Sequence, residues 1–290
     1  MTIKTKDEDQ FKKINEALEK WRQGDCVLSE QWFVHRFDPS FPLTPESIQG
    51  AGQGIDLIES RTHGFSVITQ TCDIVRRCQE GRIFVEVSPL VEVEATKLKE
   101  IKRGRRPKYA YIPGVSQQCF VADLDRVMTI EKPVVTQWSR VIGCNTDEES
   151  RALTEALARK RLRFAFPNDF TRFAETLISR LEEKHGKHSD EGEALRALRE
   201  IRIKASPPSW NESQMQLMFW FIRAETELNF EGKTWDTYLK AWLNLVPKSG
   251  RFTEVDGDVV TLEDITAKDY VESDPLDLDH LSTGTGLQRP

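Results

Sequence analysis

The spacing of the apolar residues changes along the chain, and this change constrains the fold more than any other feature. Between residues 65 and 130, short runs rich in Val, Ile, Phe and Tyr are separated by turn residues, which is typical of antiparallel strands. From residue 145 the apolar residues recur at helical spacing, with Thr146 as a suitable N-cap. After residue 200 strand-like and helix-like segments are mixed. The pattern therefore predicts an α+β protein.

The same pattern predicts five segments. The strand-like runs indicate a small antiparallel barrel or sandwich of about five strands. In the last third, Asp256-Gly257 within "RFTEVDGDVVTL" predicts a hairpin, and Trp235 and Trp242 on one face of a predicted helix are expected in the core. The segments are an N-terminal helix at 1–23, a β-barrel at 24–144, a helical segment at 145–200, an α+β domain at 201–282 and a disordered tail at 283–290.

The composition favours a cytoplasmic protein that holds neither a metal nor a cofactor. Its apolar runs are shorter than the roughly 18 residues that span a bilayer, and the first residues contain no apolar signal region. No membrane partner is therefore expected. The five cysteines are an odd number without CxxC spacing, which predicts free thiols and argues against a zinc site. His185 and His188 lie in a polar segment, where a solvated loop is a better interpretation than a metal site.

The stretch "VITQTCDIVRRC", residues 67–78, has two interpretations that involve no catalysis. In the first, Cys72 is a buried thiol and Asp73 forms a turn that ends a strand. In the second, Asp73, Arg76 and Arg77 form a binding surface, in which the two arginines are candidate nucleic-acid-binding residues. The structural interpretation is the better supported of the two, because free cysteines are among the most buried residues.

A third interpretation of this stretch is catalytic. Cys72 would be a nucleophilic thiolate, His63 or His35 would act as its base, and Asp73 would orient that base. The flanking sequence contains no glycine-rich turn of the kind that often presents a nucleophile. The sequence therefore gives this interpretation less support than the structural one.

Basic residues are concentrated in the middle of the chain and acidic residues at its end. Residues 97–108 contain seven basic residues and one acidic residue, and residues 158–163 add four basic residues. From Glu254 to the end there are ten acidic and two basic residues. This asymmetry favours nucleic-acid contact in the middle of the chain, and a solvated charged face is the alternative. The candidate nucleic-acid-binding residues in this region are Arg103, Arg105, Arg106 and Lys108.

The acidic C-terminal segment also contains leucines. Leu276, Leu278 and Leu281 alternate with carboxylates, which a purely solvating tail does not need. We expect this segment to dock, either on a basic surface of the chain or as the last edge of the C-terminal domain.

Several motifs between residues 24 and 157 occur in the order found in the MazF/PemK/Kid toxin barrels. "GDCVL" is similar to the first strand of that family, and "FSVIT" is similar to its apolar strand that ends in a small polar residue. "FVEVSPL" resembles the strand that ends in Pro-Leu, and "DLDRVMTIEK" with "TDEESRALTEAL" resembles the closing strand and helix. The resemblance implies an SH3-like β-barrel that contacts RNA. It also implies one shared core, formed by Val67, Ile83, Val85, Val87, Phe120 and Leu124.

The chain departs from this family at the positions that cut RNA. Where the resemblance implies Arg-Pro before the strand, this sequence has His63-Gly64, and where it implies Thr or Ser after Pro-Leu, it has Val91. Arg61 lies two residues earlier than the expected arginine. Cleavage needs an acid or base at the ribose hydroxyl and a cation at the phosphate, and valine supplies neither. The candidate catalytic residues are therefore Cys72, Asp73, His63 and Arg61, with degenerate or absent ribonuclease chemistry expected.

Together these features favour a prokaryotic protein of toxin or phage-defence type that contacts RNA or single-stranded DNA. One alternative is a non-catalytic protein–protein interaction module of a multi-subunit defence or toxin–antitoxin system. A protein partner or a homo-oligomer is expected in either case. A second alternative is a cysteine hydrolase that uses Cys72.

Overall fold

The computed structural model describes residues 6–102, 104, 106–162, 164–224 and 233–276. The chain divides into two compact units, one of residues 1–102 and 106–161 and the other of residues 103–105 and 162–290. The helix at 147–161 thus groups with the strands that precede it. The predicted tail at 283–290 lies outside the described residues.

The described part of the first unit contains nine strands and six α-helices. Its strands are β1 Cys26–Val27, β2 Gln31–Arg36, β3 Leu57–Thr62, β4 Phe65–Val67, β5 Phe84–Glu92, β6 Tyr109–Tyr111, β7 Phe120–Asp123, β8 Met128–Glu131 and β9 Arg140–Val141. Its helices are α1 Lys6–Leu18, α2 Pro45–Ala51, α3 Thr71–Ile74, α4 Ala95–Lys102, α5 Lys132–Val135 and α6 Asp147–Arg161. Short 3₁₀ turns lie at Cys78–Glu80 and Pro113–Gln118.

Strand β5 is the centre of the larger sheet. The strand order is β6-β7-β5-β4-β1-β9, and β8 also pairs with the first half of β5. Strands β2 and β3 form a separate two-stranded sheet. Within the described residues the pairings do not close into a ring, because β6 and β9 remain the two ends of the path. The mixed α+β class follows from this arrangement, whereas an SH3-like barrel stays a prediction.

The prediction of one shared core is wrong. Val67, Val85 and Val87 lie in one buried cluster with Trp21, and Ile83 packs against it. Leu124 and the partly buried Phe120 instead belong to a second cluster, centred on Leu90 and Leu153. The reason is the length of β5: its first residues pair with β8, its middle residues with β4, and its last residues with β7. One strand therefore supplies apolar side chains to two cores.

The Gly-Asp pair at the start of β1 has a structural role. The Asp25 side chain is buried, and its carboxylate accepts hydrogen bonds from the backbone nitrogen of Arg22, 2.7 Å away, and from that of Gly143, 3.2 Å away. The Nε atom of Arg140 on β9 donates a further hydrogen bond over 2.7 Å. A buried carboxylate with three donors is a well-compensated charge. Asp25 thereby links the start of β1 to β9, although Arg140 follows Asp25 by 115 residues in the sequence.

The second unit is a four-stranded sheet with helices. Its strands, in the described residues, are β10 Leu198–Ser206, β11 Met215–Arg223, β12 Phe252–Val260 and β13 Asp274–Pro275, in the order β12-β11-β10-β13. Its helices are α7 Asn168–His185, α8 Asp190–Ala197, α9 Trp235–Leu243 and α10 Ala267–Val271. The main core lies between one face of the sheet and helices α7, α8 and α9. Leu276 is also buried there, so the start of the acidic segment belongs to this core, whereas Leu278 and Leu281 lie outside the described residues.

The prediction of a hairpin at Asp256-Gly257 is wrong. Residues 252–260 form one continuous strand that runs parallel to β11, and α9 precedes it in the chain, as a parallel connection requires. A β-carbon on Gly257 would lie 2.9 Å from the carbonyl oxygen of Phe219 and 3.1 Å from Cδ2 of Leu243. Position 257 therefore requires glycine because β11 and α9 pack closely against it. The glycine is not there to form a turn.

The tryptophans of the second unit contribute to its core. Trp242 is fully buried, and its ring lies 4.9 Å from that of Phe221. Trp235 is partly buried against the same cluster, which confirms the prediction for this pair. None of the helices in the described ranges combines the length and the apolar character needed to cross a membrane.

Candidate functional site

The stretch 67–78 folds around a buried lysine. Strand β4 ends at Val67, and α3 follows, with Ile74 and Cys78 buried. The side chain of Lys132 is fully buried, and its Nζ donates to the carbonyl oxygen of Asp73 over 3.0 Å and to that of Arg76 over 2.7 Å. Burial lowers the pKa of this lysine below its usual value. The ammonium thus fixes the turn that contains the candidate nucleophile.

Sequence reasoning missed Lys132. The only signal is its position in "TIEKPVV", where a charged side chain adjoins an apolar run. That signal is weak, because an exposed lysine at the start of a helix produces the same pattern.

The predicted cysteine–histidine pair is not assembled in the described residues. Cys72 is exposed, so the expectation of a buried thiol is wrong, and within the described residues the one polar contact of its sulfur is with the side-chain oxygen of Gln70, 3.7 Å away. The ring of His63 stacks on Phe120 at 4.9 Å. The ring of His35 stacks on Phe33 at 5.8 Å. The geometry therefore gives no support to a thiolate activated by an imidazole.

The remaining predicted residues of this region form local ion pairs. Arg61 pairs with Glu30 across 2.6 Å, and Asp73 pairs with Arg76 across 3.3 Å. Arg77 is exposed. The expected group of Arg61, His63 and Cys72 is therefore three separate local environments.

Part of the same stretch forms the wall of a cleft, which we call the β5–α6 cleft. It has a volume of about 600 Å³ and is lined by residues 68–70, Asp73, Arg82, residues 84–86, Thr129 and the C-terminal half of α6, together with Gln23. Glu86 on β5 and Arg161 on α6 form an ion pair across it at 2.9 Å. Asp73 is the one predicted catalytic residue among its described lining residues.

The predicted basic loop begins as a helix. Lys97, Lys99 and Lys102 lie on α4, which packs through Leu98 and Ile101 against the sheet that contains β6. Arg103 and Arg105 lie outside the described residues. The basic residues that the structure describes are therefore presented by a helix and by the segment that joins it to β6.

Two tyrosines of β6 lie beneath these lysines. The Nζ of Lys97 is 4.9 Å from the ring centre of Tyr109, and the Nζ of Lys102 is 5.5 Å from that of Tyr111. Lys108 also lies over Tyr109, at 5.5 Å. Tyr109 and Tyr111 are two residues apart on a strand, so their side chains project to the same face. We call this group, with Lys99 and Arg106, the lysine–tyrosine surface.

The cations of the lysine–tyrosine surface differ in their acidic partners. Arg106 pairs with Glu100 at 2.7 Å, and Lys108 lies 3.5 Å from Asp125. By contrast, no described acidic residue forms an ion pair with the cations that α4 contributes, which are Lys97, Lys99 and Lys102. The helix therefore presents uncompensated positive charge beside two aromatic rings.

Two cations of the second basic run, at 158–163, pair with acidic residues of the first unit. Lys160 hydrogen-bonds Asp125, and this contact lowers the pKa of that carboxyl below its usual value. Arg161 is occupied by Glu86. These cations compensate one acid of β5 and one acid of the turn between β7 and β8, so their part of the charge asymmetry is structural.

Comparison with known proteins adds no assignment to this geometry. No family model matches the sequence, and no curated protein matches it significantly.

Proposed function

We propose that the first unit binds RNA or single-stranded DNA through the lysine–tyrosine surface. The observation that carries the proposal is the placement of Lys97 and Lys102 over the rings of Tyr109 and Tyr111. Proteins that bind single strands combine cations for the phosphates with aromatic faces on which bases stack. Both elements occur here within one helix and one strand.

The hydrophobic packing beneath the surface supports this proposal. Ile101 and Val121 are buried under α4, with Leu98 and Val91 packed around them. The helix is therefore held in place by its apolar side, and its lysines need no role in folding. A fixed support reduces the side-chain entropy that binding would otherwise cost.

The proposal extends to the kind of protein but not to ribonuclease activity. We infer that the first unit is a variant of the SH3-like barrel of the MazF/PemK type, in a protein of toxin or phage-defence type. The order of the similar motifs along the sequence, from "GDCVL" to "TDEESRALTEAL", supports this inference. Val91 pairs with Val121 inside the sheet, which is consistent with binding that has lost the family's chemistry.

The test is binding of a fluorescein-labelled single-stranded RNA and of the matching DNA, followed by anisotropy over a range of salt concentrations. Single-strand binding weakens by about 0.7 log units per log unit of salt for each phosphate contact. Lys97→Ala with Lys102→Ala should lower the slope by about 1.4, which is two such contacts. Lys12→Ala with Lys13→Ala, on the exposed side of α1, is the control for the same loss of charge. Equal binding by both double variants would disprove the proposal.

A second candidate function is a protein interaction module. The segment from the start of β2 to the end of β3, residues 31–62, exposes several apolar side chains. Phe41 is 77% and Leu43 is 93% exposed, and Trp32, Ile48 and Leu57 are also exposed. Large apolar side chains exposed on one segment are typical of a contact with a protein partner or a second copy of the chain. Light scattering with size-exclusion chromatography tests the second copy. Phe41→Ser with Leu43→Ser should shift an oligomer to the monomer, whereas it should not change nucleic-acid binding.

A further inference from the structure

The β5–α6 cleft has the size of a small-molecule site. Its volume of about 600 Å³ lies within the range of roughly 300–1,000 Å³ that such sites occupy. Ile68, Val85, Leu157 and Ala158 form its apolar part. All its lining residues belong to the first unit.

Some polar groups of the cleft are already used within the fold. The side-chain nitrogen of Gln23 donates to the carbonyl oxygen of Ile68 over 2.8 Å, and its oxygen accepts from Thr154 over 3.1 Å. Thr69 accepts a hydrogen bond of 2.6 Å from the backbone nitrogen of Glu86. These groups hold the walls of the cleft together, so they are not the ones that would select a ligand.

Three other polar groups have capacity to bind. Among the described residues, the Thr129 hydroxyl and the Arg82 guanidinium make no hydrogen bond or ion pair. Within the described ranges, the carboxamide of Gln70 hydrogen-bonds only the Cys72 thiol. A cleft that presents a guanidinium, an amide and a hydroxyl can fix a ligand by hydrogen bonds in several directions.

The charge balance of the cleft favours an anion. Glu86 and Arg161 compensate each other, and Asp73 is paired with Arg76. Arg82 therefore remains as the lining cation without an acidic partner in the described part of the chain. Guanidinium groups bind phosphate through paired hydrogen bonds in a planar arrangement.

An aromatic ring completes the site. Phe84 lines the cleft, and its residue surface is 53% exposed, so the side chain is accessible to a planar ligand. Stacking of a base on an aromatic ring is favourable whatever the base. We propose that the β5–α6 cleft binds a nucleotide, with the base on Phe84, the base edge hydrogen-bonded to Gln70 and the phosphate at Arg82.

A nucleotide can reach this cleft from two sources with the same chemistry. It can be a free mononucleotide, or it can be the 5′-phosphorylated end of a strand. The nucleotide proposal does not depend on the lysine–tyrosine surface. The cleft is lined by the first residues of β5, whereas the lysine–tyrosine surface is built on β6, and β7 separates β6 from the last residues of β5. Failure of one proposal therefore leaves the other standing.

The test is isothermal titration calorimetry of the full chain. The probes are adenosine and uridine 5′-monophosphates, adenosine, inorganic phosphate, and a short oligonucleotide with and without a 5′-phosphate. We expect the nucleotide or the 5′-phosphorylated oligonucleotide to bind more tightly than the same molecule without phosphate. Whether the mononucleotide or the 5′-phosphorylated oligonucleotide binds more tightly shows whether the natural ligand is a free nucleotide or the end of a strand.

Variants assign the roles. Arg82→Ala should weaken nucleotide binding about tenfold or more, since a hydrogen bond to a charged group is lost, and it should leave adenosine binding unchanged. Phe84→Ala should weaken both about tenfold through lost stacking. Arg172→Ala, at an exposed arginine of α7 in the second unit, is the matched control for charge and should have no effect. Lys97→Ala with Lys102→Ala should also leave the free nucleotide affinity unchanged.

Three results would overturn the inference. The first is a wild-type chain that binds neither nucleotides nor the 5′-phosphorylated end at millimolar concentration. The second is inorganic phosphate binding as tightly as the nucleotide, because the base would then contribute nothing. The third is an equal loss with Arg172→Ala and Arg82→Ala. Circular dichroism and melting curves of each variant show whether a loss of binding reflects unfolding.

Discussion

The ammonium nitrogen of Lys132 lies 2.7 Å from the carbonyl oxygen of Arg76, inside the turn that contains Cys72. The same nitrogen donates to the carbonyl oxygen of Asp73 over 3.0 Å. One buried cation thus satisfies two carbonyls at the C-terminal end of the short helix α3. The turn is a structural element, and it also forms a wall of the β5–α6 cleft.

Lys132→Met should destabilise the first unit. Methionine has a similar volume but donates no hydrogen bond, so the carbonyls of Asp73 and Arg76 lose their partner. A buried group left unsatisfied costs about 1–3 kcal/mol, and the relief of burying a charge offsets part of this cost. We expect the free energy of unfolding to fall by about 1–3 kcal/mol, measured by urea denaturation. Lys20→Met, at an exposed position after α1, should be neutral, and an equal loss in both variants would contradict the role of Lys132.

Tyr109→Ala and Tyr111→Ala should weaken single-strand binding without changing its salt dependence. Each ring can stack with one base, and stacking contributes about 1–3 kcal/mol per base, so each substitution should raise the Kd about tenfold. The slope against salt reports phosphate contacts, and a neutral tyrosine makes none that releases a counterion. Anisotropy titrations at several salt concentrations measure both quantities.

Tyr109→Phe and Tyr111→Phe are the controls for this prediction. They keep the ring and its packing against Leu98 and Ile101, so they should bind as the wild type does. A loss of affinity in the phenylalanine variants would point to the hydroxyls instead of stacking.

The sequence indicates the elements of the fold better than the way they pair. The amphipathic spacing of Ile14 and Leu18 predicts α1, and both residues are buried in the core of the first unit. By contrast, the run "FVEVSPLVE" contains no signal that its two ends face different clusters. That division depends on which strands pair with each end of β5, and pairing is a long-range property.

The candidate site was less predictable, for a related reason. A basic run is visible in sequence, but whether its cations are free to bind a ligand depends on where the acidic partners lie. Asp125 and Glu86 are distant in the chain from their partners Lys160 and Arg161. Likewise, the sequence around Phe84 is that of an ordinary strand, and Phe84 becomes part of a cleft only because α6 packs nearby.

Gly257→Val should destabilise the second unit. The added side chain would meet the carbonyl oxygen of Phe219 and the side chain of Leu243, at 2.9 and 3.1 Å from the β-carbon alone. Overpacking of this kind costs about 1–3 kcal/mol, so the melting temperature should fall. Asp256→Val, at the exposed neighbouring position, is the control and should be tolerated. Tolerance of valine at position 257 would mean that the strand and α9 do not pack as described.

Asp169 and Arg251 join the start of α7 to the strand β12 through two hydrogen bonds. The Nε of Arg251 lies 2.5 Å from one carboxylate oxygen of Asp169, and another guanidinium nitrogen lies 3.0 Å from the other. The hydrogen bond from Arg251 is the main reason that the pKa of Asp169 lies below its usual value. Arg251 also donates to the carbonyl oxygen of Trp210 over 2.6 Å, so the pair fixes an aromatic part of the core.

This pair should make the stability of the second unit depend on pH in a defined window. Because the pKa of Asp169 is lower in the folded chain, its contribution is complete above the unfolded value, about 3.9, and is lost as pH falls through the folded value. Asp169→Asn should therefore reduce the free energy of unfolding by about 0.5–1 kcal/mol at neutral pH, a modest amount because the carboxylate is half exposed. The difference between wild type and variant should stay constant down to about pH 5 and shrink below about pH 4. Urea denaturation followed by tryptophan fluorescence measures it, with Glu175→Gln on the exposed side of α7 as the control. A difference that grows as pH falls would contradict the assigned pairing.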